Sequence, residues 1–286
     1  MHIIFSRKGF DSSSGGMPSP ILPDGTLLSF PIPADFGPSR FCDLKAPDGQ
    51  TYSKYLRELG WNVKRHRLAW RQGGAVCHAD PDLRVEACAR PKNWRPAFGQ
   101  VGVGQTQLAR YEITKGDVFL FFGLFRHAER HGGRLQFMPR TKPIHAIYGW
   151  LTVDGIADLS TDTERSSALK QWPWLAQHPH ACDPAQWARR ITRSGPNRIY
   201  VGKPSASGPL PFSASRVLTR DGLSASRWRR FPWLAENENA RFSRCNAPSL
   251  LHDDYLDTHT GRWQELVLTS RDYPQVTPWL NEVTRA

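Results

Sequence analysis

The sequence predicts an α+β fold: one domain over residues 1–286, built on a mixed, largely antiparallel β-sheet with a few flanking helices. Three observations carry that prediction. Short apolar runs bounded by turn formers outnumber helical patterns. Tight βαβ alternation is missing, which argues against a doubly wound parallel sheet. Finally, 23 prolines and 23 glycines are spread along the chain and cut it into short elements.

Taken in chain order, the strand candidates are "HIIF" (2–5), "GTLLSFPI" (25–32), "DVFLFFGLF" (117–125), "LQFM" (135–138), "HAIYGWLTV" (145–153), "NRIYVG" (197–202), "SRVLT" (215–219) and "QELVLT" (264–269). A hairpin is expected within 140–159, turning at Asp154-Gly155, the dipeptide that suits a tight hairpin turn. Helices are expected at "TYSKYLRELG" (51–60), with Thr51 as cap and Gly60 as stop, and at "DPAQWARRIT" (183–192), with Asp183 as cap and Pro184 at the first helical position. A third is expected at "VTPWLNEVT" (276–284). The polar "STDTERSSALKQ" (160–171) marks where a boundary would fall, near 160–180.

Composition narrows the function classes. Apolar residues make up 39% and aromatics 11%, enough for a sizeable core and too many for a disordered chain. The longest apolar run, near "VFLFFGLF", is far short of a membrane span, and "MHIIFSRKGF" is too short for a secretory signal, so a cytoplasmic protein is expected. The five cysteines (Cys42, Cys77, Cys88, Cys182, Cys245) are odd in number and hold no Cys-x-x-Cys pair, which argues against a disulfide framework and a zinc ribbon. Lys and Arg number 38 against 26 Asp and Glu, giving +12 and a pI near 9.8. Such a surplus commonly accompanies polyanion binding, and the preference for Arg suits bidentate phosphate contacts.

"FSRKGFDSSSGGMPSPI" (5–21) is the densest polar stretch. Ser6, Arg7 and Lys8 emerge from the end of the first strand, and Ser13, Gly15 and Gly16 supply small residues whose N–H groups suit a phosphate nest. Asp11 is a candidate general base or a contact for a ribose hydroxyl; a plain Gly/Ser surface loop is the alternative. In "VCHADPDLR", His78, Asp80 and Asp82 alternate, so an extended segment turns all three one way, as a divalent-cation site or as a solvated Asp-Pro turn. Gln100, Gln105 and Arg126 flank an apolar strand and are candidates for base or phosphate contacts, the glutamines equally for turn capping. His145 is either an acid–base group or a core histidine. Glu265 is either a catalytic carboxylate or a strand-edge charge.

Basic-aromatic runs recur at 61–71, 187–193 and 227–233. Aromatics stack on bases while Arg and Lys follow the backbone, so Arg227, Trp228, Arg229 and Arg230 are the expected nucleic-acid surface.

"FSRKGFDSSSGGMPSPILPDG" resembles the N-terminal signature of the nucleotide modification associated domain 3 family. The resemblance continues in order through "HADPDLR", "FGQVGVGQTQL", "GDVFLFFGLFR", "HAIYGWL" and "GRWQELVL", and is weakest over 155–260. The family pattern is closer to Gly-Ala-Ala-Gln where this chain has Gly102 to Gln105. Carried over, it falls on Ser6, Arg7, Lys8, Asp11, Gly15, Gly16, Asp24, His78, Asp80, Gln100, Gln105, Arg126, His145 and Glu265. It implies an association with enzymes that modify bases in DNA, and assigns no roles to these positions. The leading expectation is an enzyme of DNA or nucleotide modification, by group transfer to or hydrolysis at a base or sugar. Its alternatives are a non-catalytic module that binds modified DNA in a restriction or defence system, and a transferase using a nucleotide-derived donor such as NAD. DNA or a nucleotide is the expected partner, together with proteins of a DNA-modification system. A divalent metal and a nucleotide-derived donor are the cofactor candidates.

Overall fold

The structure is a computed structural model, described over residues 1–61, 74–182, 195–231, 252–258, 265–269 and 276–285. Its frame is an α+β half-barrel, a large mixed sheet with small antiparallel sheets beside it. The strands of the main path are β1 (His2–Arg7), β6 (Ala97–Val101), β7 (Val118–His131), β9 (Ile144–Asp158), β10 (Asn197–Pro209) and β13 (Glu265–Thr269). Their order is β13-β1-β7-β9-β10-β6; off this path β8 (Arg134–Phe137) pairs with β7, and β11 (Arg227–Arg229) pairs with β12 (Tyr255–Asp257) in a two-stranded sheet. β1 runs parallel to β7 and antiparallel to β13, and the other neighbours on the path are antiparallel.

β1 lies inside the sheet and is covered on both faces, which is why it reads as an unbroken apolar run. Ile3 and Phe5 face a core with Leu120, Phe122 and Ile147, closed by Trp228 and the C-terminal helix Val276–Val283. Ile4 faces the opposite core, with Phe98, Phe119, Phe121, Tyr148, Tyr200 and Val267. That second core fills the inside of the half-barrel. Its two edge strands, β6 and β13, come close enough for Gln100 to reach Glu265.

β2 (Ser19–Ile21) pairs parallel with β7 just beyond β1 and on the same strand. Residues 8–18 are therefore an excursion between two strands pinned to one partner. Beside it, β3 (Ile32–Pro33), β5 (Val76–His78) and β4 (Ser39–Arg40) form a three-stranded sheet, with α1 (Tyr52–Glu58) in the same satellite core. Thr51 caps α1 by accepting from the Lys54 N–H, and Gly60 ends it at φ +77°, as the sequence predicts.

Several expectations are corrected. Of 25–32, only Ile32 enters a strand. The 215–219 run begins in a 3₁₀ turn (Ala214–Arg216) and continues as isolated bridges. No turn forms at Asp154-Gly155, where β9 continues with a register shift against Val201 and Gly202 of β10. Asp154 is held by Arg95 (2.5 Å) and Lys115 (2.7 Å), and a Cβ at Gly155 would stand 2.8 Å from the Trp172 ring. This glycine serves close packing rather than a left-handed turn.

Two helices were not predicted. α2 (Gly102–Ala109) starts at once after β6. α3 (Asp162–Gln171) occupies the stretch expected as a boundary. The α3 start is a capping box: Thr161 accepts from the Glu164 N–H, and the two side chains meet at 3.0 Å. The expected helix at 183–192 lies outside the described residues.

Candidate functional site

Strand alternation divides the Ser6-Arg7-Lys8 triplet between the two faces of the sheet. Ser6 and Lys8 turn to the inside of the half-barrel, where both reach Glu265 on β13. Lys8 keeps the strand direction because its N–H donates to the Phe122 carbonyl at 2.9 Å. Gly123 makes room for it, since a Cβ there would stand 2.9 Å from the Lys8 carbonyl oxygen.

Three donors converge on one atom, Glu265 Oε1: the Lys8 ammonium at 3.0 Å, the Ser6 hydroxyl at 3.3 Å and the Gln100 amide at 2.5 Å. Glu265 is only 2% exposed, and Lys8 Nζ also lies 4.8 Å from the centre of the Phe98 ring. Gln100 is oriented from its other end, its Oε1 accepting the Val101 N–H at 3.0 Å. α2 begins beside it, and Gly104 leaves no Cβ to strike the Gln100 carboxamide, which would be 2.8 Å away. Gln105, also on α2, is fully buried and accepts from the Tyr200 hydroxyl at 3.1 Å.

Arg7, Asp11 and His145 gather on the opposite face. The Asp11 carboxylate does not stand open to a ligand, because one oxygen accepts from the Ser13 N–H (2.8 Å), the Ser13 hydroxyl (2.7 Å) and the Ser14 N–H (2.6 Å). The other pairs with Arg7 at 3.5 Å. The Gly16 N–H donates to the Asp11 carbonyl, and a Cβ at Gly15 would fall 2.3 Å from the Phe10 ring at a backbone φ of +91°. The expected phosphate nest is thus closed around the chain's own anion. His145 accepts the Trp228 indole N–H at Nδ1 (3.0 Å), which leaves the ring proton on Nε2. Burial, and then the nearby Arg7 charge, push this imidazole down to about 3, so it is neutral at physiological pH.

Other expected contacts are committed elsewhere. Arg126 donates to the Thr141 hydroxyl and the Met138 carbonyl. Trp228 is fully buried rather than nucleic-acid-facing. Arg227 pairs with Asp257 at 3.9 Å, Arg229 donates to the carbonyls of Ala214 and Ser215, and Arg230 donates to that of Asp253. The basic-aromatic run at 187–193 lies outside the described residues, as does that at 61–71 apart from Trp61.

The second gathering of polar side chains surrounds Asp80. His78 closes β5, and Asp80 follows two residues on. Asp82 has left the group: its carboxylate accepts two bonds of 2.7 Å from Arg90 and one of 3.0 Å from the Trp94 indole. Its place is taken by His178 and His180. His78 Nε2 and His180 Nε2 are 3.1 Å apart, and Asp80 Oδ2 is 3.9 and 3.6 Å from them. Asp80 Oδ1 accepts the Gly99 N–H at 2.9 Å and lies 3.3 Å from His178 Nε2. A Cβ at Gly99 would sit 2.3 Å from the His180 ring, so only glycine lets that ring lie on β6. Burial alone would raise the Asp80 carboxyl; His178, with His180 and His78 behind it, outweighs this and holds it down to about 2. Burial pushes His180 down to about 3, so this ring is neutral at physiological pH. A cavity of about 60 Å³ is lined in part by Gly9, Tyr52, Asp80 and Tyr148.

Consecutive residues of β6 thus serve both gatherings, Gly99 through its N–H to Asp80 and Gln100 through its amide to Glu265. His178 and His180 are not among the residues expected from the sequence. Their signal was the alternating "HPH" at 178–180, which repeats the one-sided spacing of His78 and Asp80.

A family model described as nucleotide modification associated domain 3 matches residues 2–269. No curated protein and no solved structure matches the chain.

Proposed function

The chain belongs to the nucleotide modification associated domain 3 family, and from that premise we propose that it is an enzyme of DNA or nucleotide modification whose reacting carboxylate is Glu265. The supporting observation is the convergence of Ser6, Lys8 and Gln100 on one oxygen of a carboxylate that is almost fully buried. A buried ion pair is a poor source of stability, because removing both charges from water offsets much of their attraction. Placing one where two sheet edges meet suits chemistry better than packing.

In this reading Glu265 takes the proton from an attacking hydroxyl, amine or water. Lys8 balances the charge at the carboxylate and is placed to meet a developing oxyanion or a phosphate oxygen. Gln100 and Ser6 hold the carboxylate in one orientation. Group transfer to, or hydrolysis at, a base or sugar is the reaction class, with DNA or a nucleotide as substrate.

The experiment compares nucleosides, by mass spectrometry, from cells carrying the wild-type gene, the Glu265→Gln gene or no gene. The expected outcome is a nucleoside present only with the wild type, falling by roughly 100-fold or more in the variant, as loss of a general base does. Wild-type levels from Glu265→Gln would overturn the assignment.

A further inference from the structure

His78, Asp80 and His180 come from three places in the chain: the end of β5, the segment after it, and the loop ahead of β10. Their three facing atoms lie within 4.8 Å of one another. We propose that they bind a first-row divalent transition ion, of the zinc, cobalt and iron class, through His78 Nε2, His180 Nε2 and Asp80 Oδ2.

The ring protons argue for it. Asn197 donates through its Nδ2 to the His180 carbonyl at 3.1 Å, which sets its Oδ1 toward the His180 ring. That oxygen only accepts, so at 2.9 Å it requires the proton on His180 Nδ1 and turns the Nε2 lone pair toward His78 and Asp80. This is the arrangement in which a metal-binding histidine is held by a partner on its far nitrogen. His178 has the opposite tautomer. Its Nδ1 accepts the His180 N–H at 3.2 Å, so its Nε2–H faces Asp80 Oδ1 and is no ligand. That Nε2 is buried and makes no hydrogen bond among the described residues. The Gly99 N–H therefore occupies Oδ1, with the His178 ring 3.3 Å from the same oxygen, and Oδ2 is the oxygen left facing the other two rings.

The spacing fits as well. Ligand atoms about 2.0–2.2 Å from an ion sit roughly 2.9–3.4 Å from one another, depending on coordination geometry. The observed separations of 3.1, 3.6 and 3.9 Å need only a small inward movement. Two imidazoles and one carboxylate leave further coordination positions, as in catalytic rather than structural metal sites. The open side lies at His78, whose side chain is 23% exposed against 3% for the other two. This inference holds whether or not Glu265 is the reacting group.

The test titrates the full chain, stripped with a chelator, with Co²⁺ and then Zn²⁺, followed by visible absorption and calorimetry. One Co²⁺ per chain is expected, with absorption bands of nitrogen and oxygen ligation, displaced by Zn²⁺. His78→Gln, at the most exposed ligand, is expected to keep the wild-type circular dichroism spectrum. It should lose at least the roughly 10–100-fold in affinity that removing even an outer partner costs. Asp80→Asn should lose as much, and His131→Gln, at an exposed histidine on β7, should bind as the wild type does. No Co²⁺ bound at one equivalent would overturn the proposal. So would wild-type affinity in His78→Gln and Asp80→Asn, or a loss in His131→Gln equal to theirs.

Discussion

Ser6 and Arg7 are neighbours on one strand, yet they belong to regions built in opposite ways. On the Ser6 side, Ser6 of β1, Lys8 just beyond it and Gln100 of β6 hold a carboxylate from β13, so the group depends on two sheet edges meeting. On the Arg7 side, the Asp11 carboxylate is held by residues two and three positions away and by Arg7 four positions before it. The first region brings charge together over long sequence separations and buries it. The second ties a surface turn to itself with local bonds. Long-range convergence of buried polar groups points to chemistry, whereas a locally satisfied carboxylate is the ordinary way to fix a turn.

The largest expected effect falls on the Arg7 side. Trp228 is fully buried against Phe5 and Phe122 and donates to His145, so Trp228→Ala should lose about 3–5 kcal/mol in urea unfolding. The same face should matter through the turn: Asp11→Ala removes three donor contacts and the Arg7 pair. A loss of about 2 kcal/mol in unfolding free energy is expected, with nucleoside modification per folded molecule unchanged.

The smallest effect is in pH dependence. The His145 imidazole takes up its proton near 6.5 in the unfolded chain but only near 3 in the folded one, where burial resists the charge. Between those values the unfolded state binds the extra proton. The stability that depends on neutral His145 is therefore intact above about pH 6.5 and lost as pH falls toward 3. His145→Gln should flatten the fall in unfolding free energy between pH 7 and pH 5, by up to about 1.4 kcal/mol per pH unit.

Much of the frame was legible in the sequence. The apolar runs at 2–5, 117–125, 145–153 and 197–202 became β1, β7, β9 and β10, and Thr51 and Gly60 bracket α1 because capping and left-handed glycine are local chemistry. What stayed hidden depends on partners far along the chain. Asp154-Gly155 looks like a hairpin turn until Arg95, Lys115 and Trp172 are placed against it. α2 was obscured by Gly102 and Gly104, which local propensity reads as loop, although Gly104 is there to clear Gln100. The candidate site was legible as residue types and not as groupings. Ser6, Lys8, Gln100 and Glu265 were all named, but no local pattern reports that Ser6 and Glu265 meet across 259 positions. His180 joins His78 over 102 positions for the same reason.

The most direct measurement compares Glu265→Gln with Asp11→Ala for two quantities, modified nucleoside per folded molecule and urea midpoint. Glu265→Gln is expected to lose the modification by roughly 100-fold or more while remaining folded. Asp11→Ala should lower the midpoint and keep the modification. A fully active Glu265→Gln protein would contradict the assignment of Glu265 as the reacting carboxylate, and a folded but inactive Asp11→Ala protein would contradict the assignment of Asp11 to the turn alone.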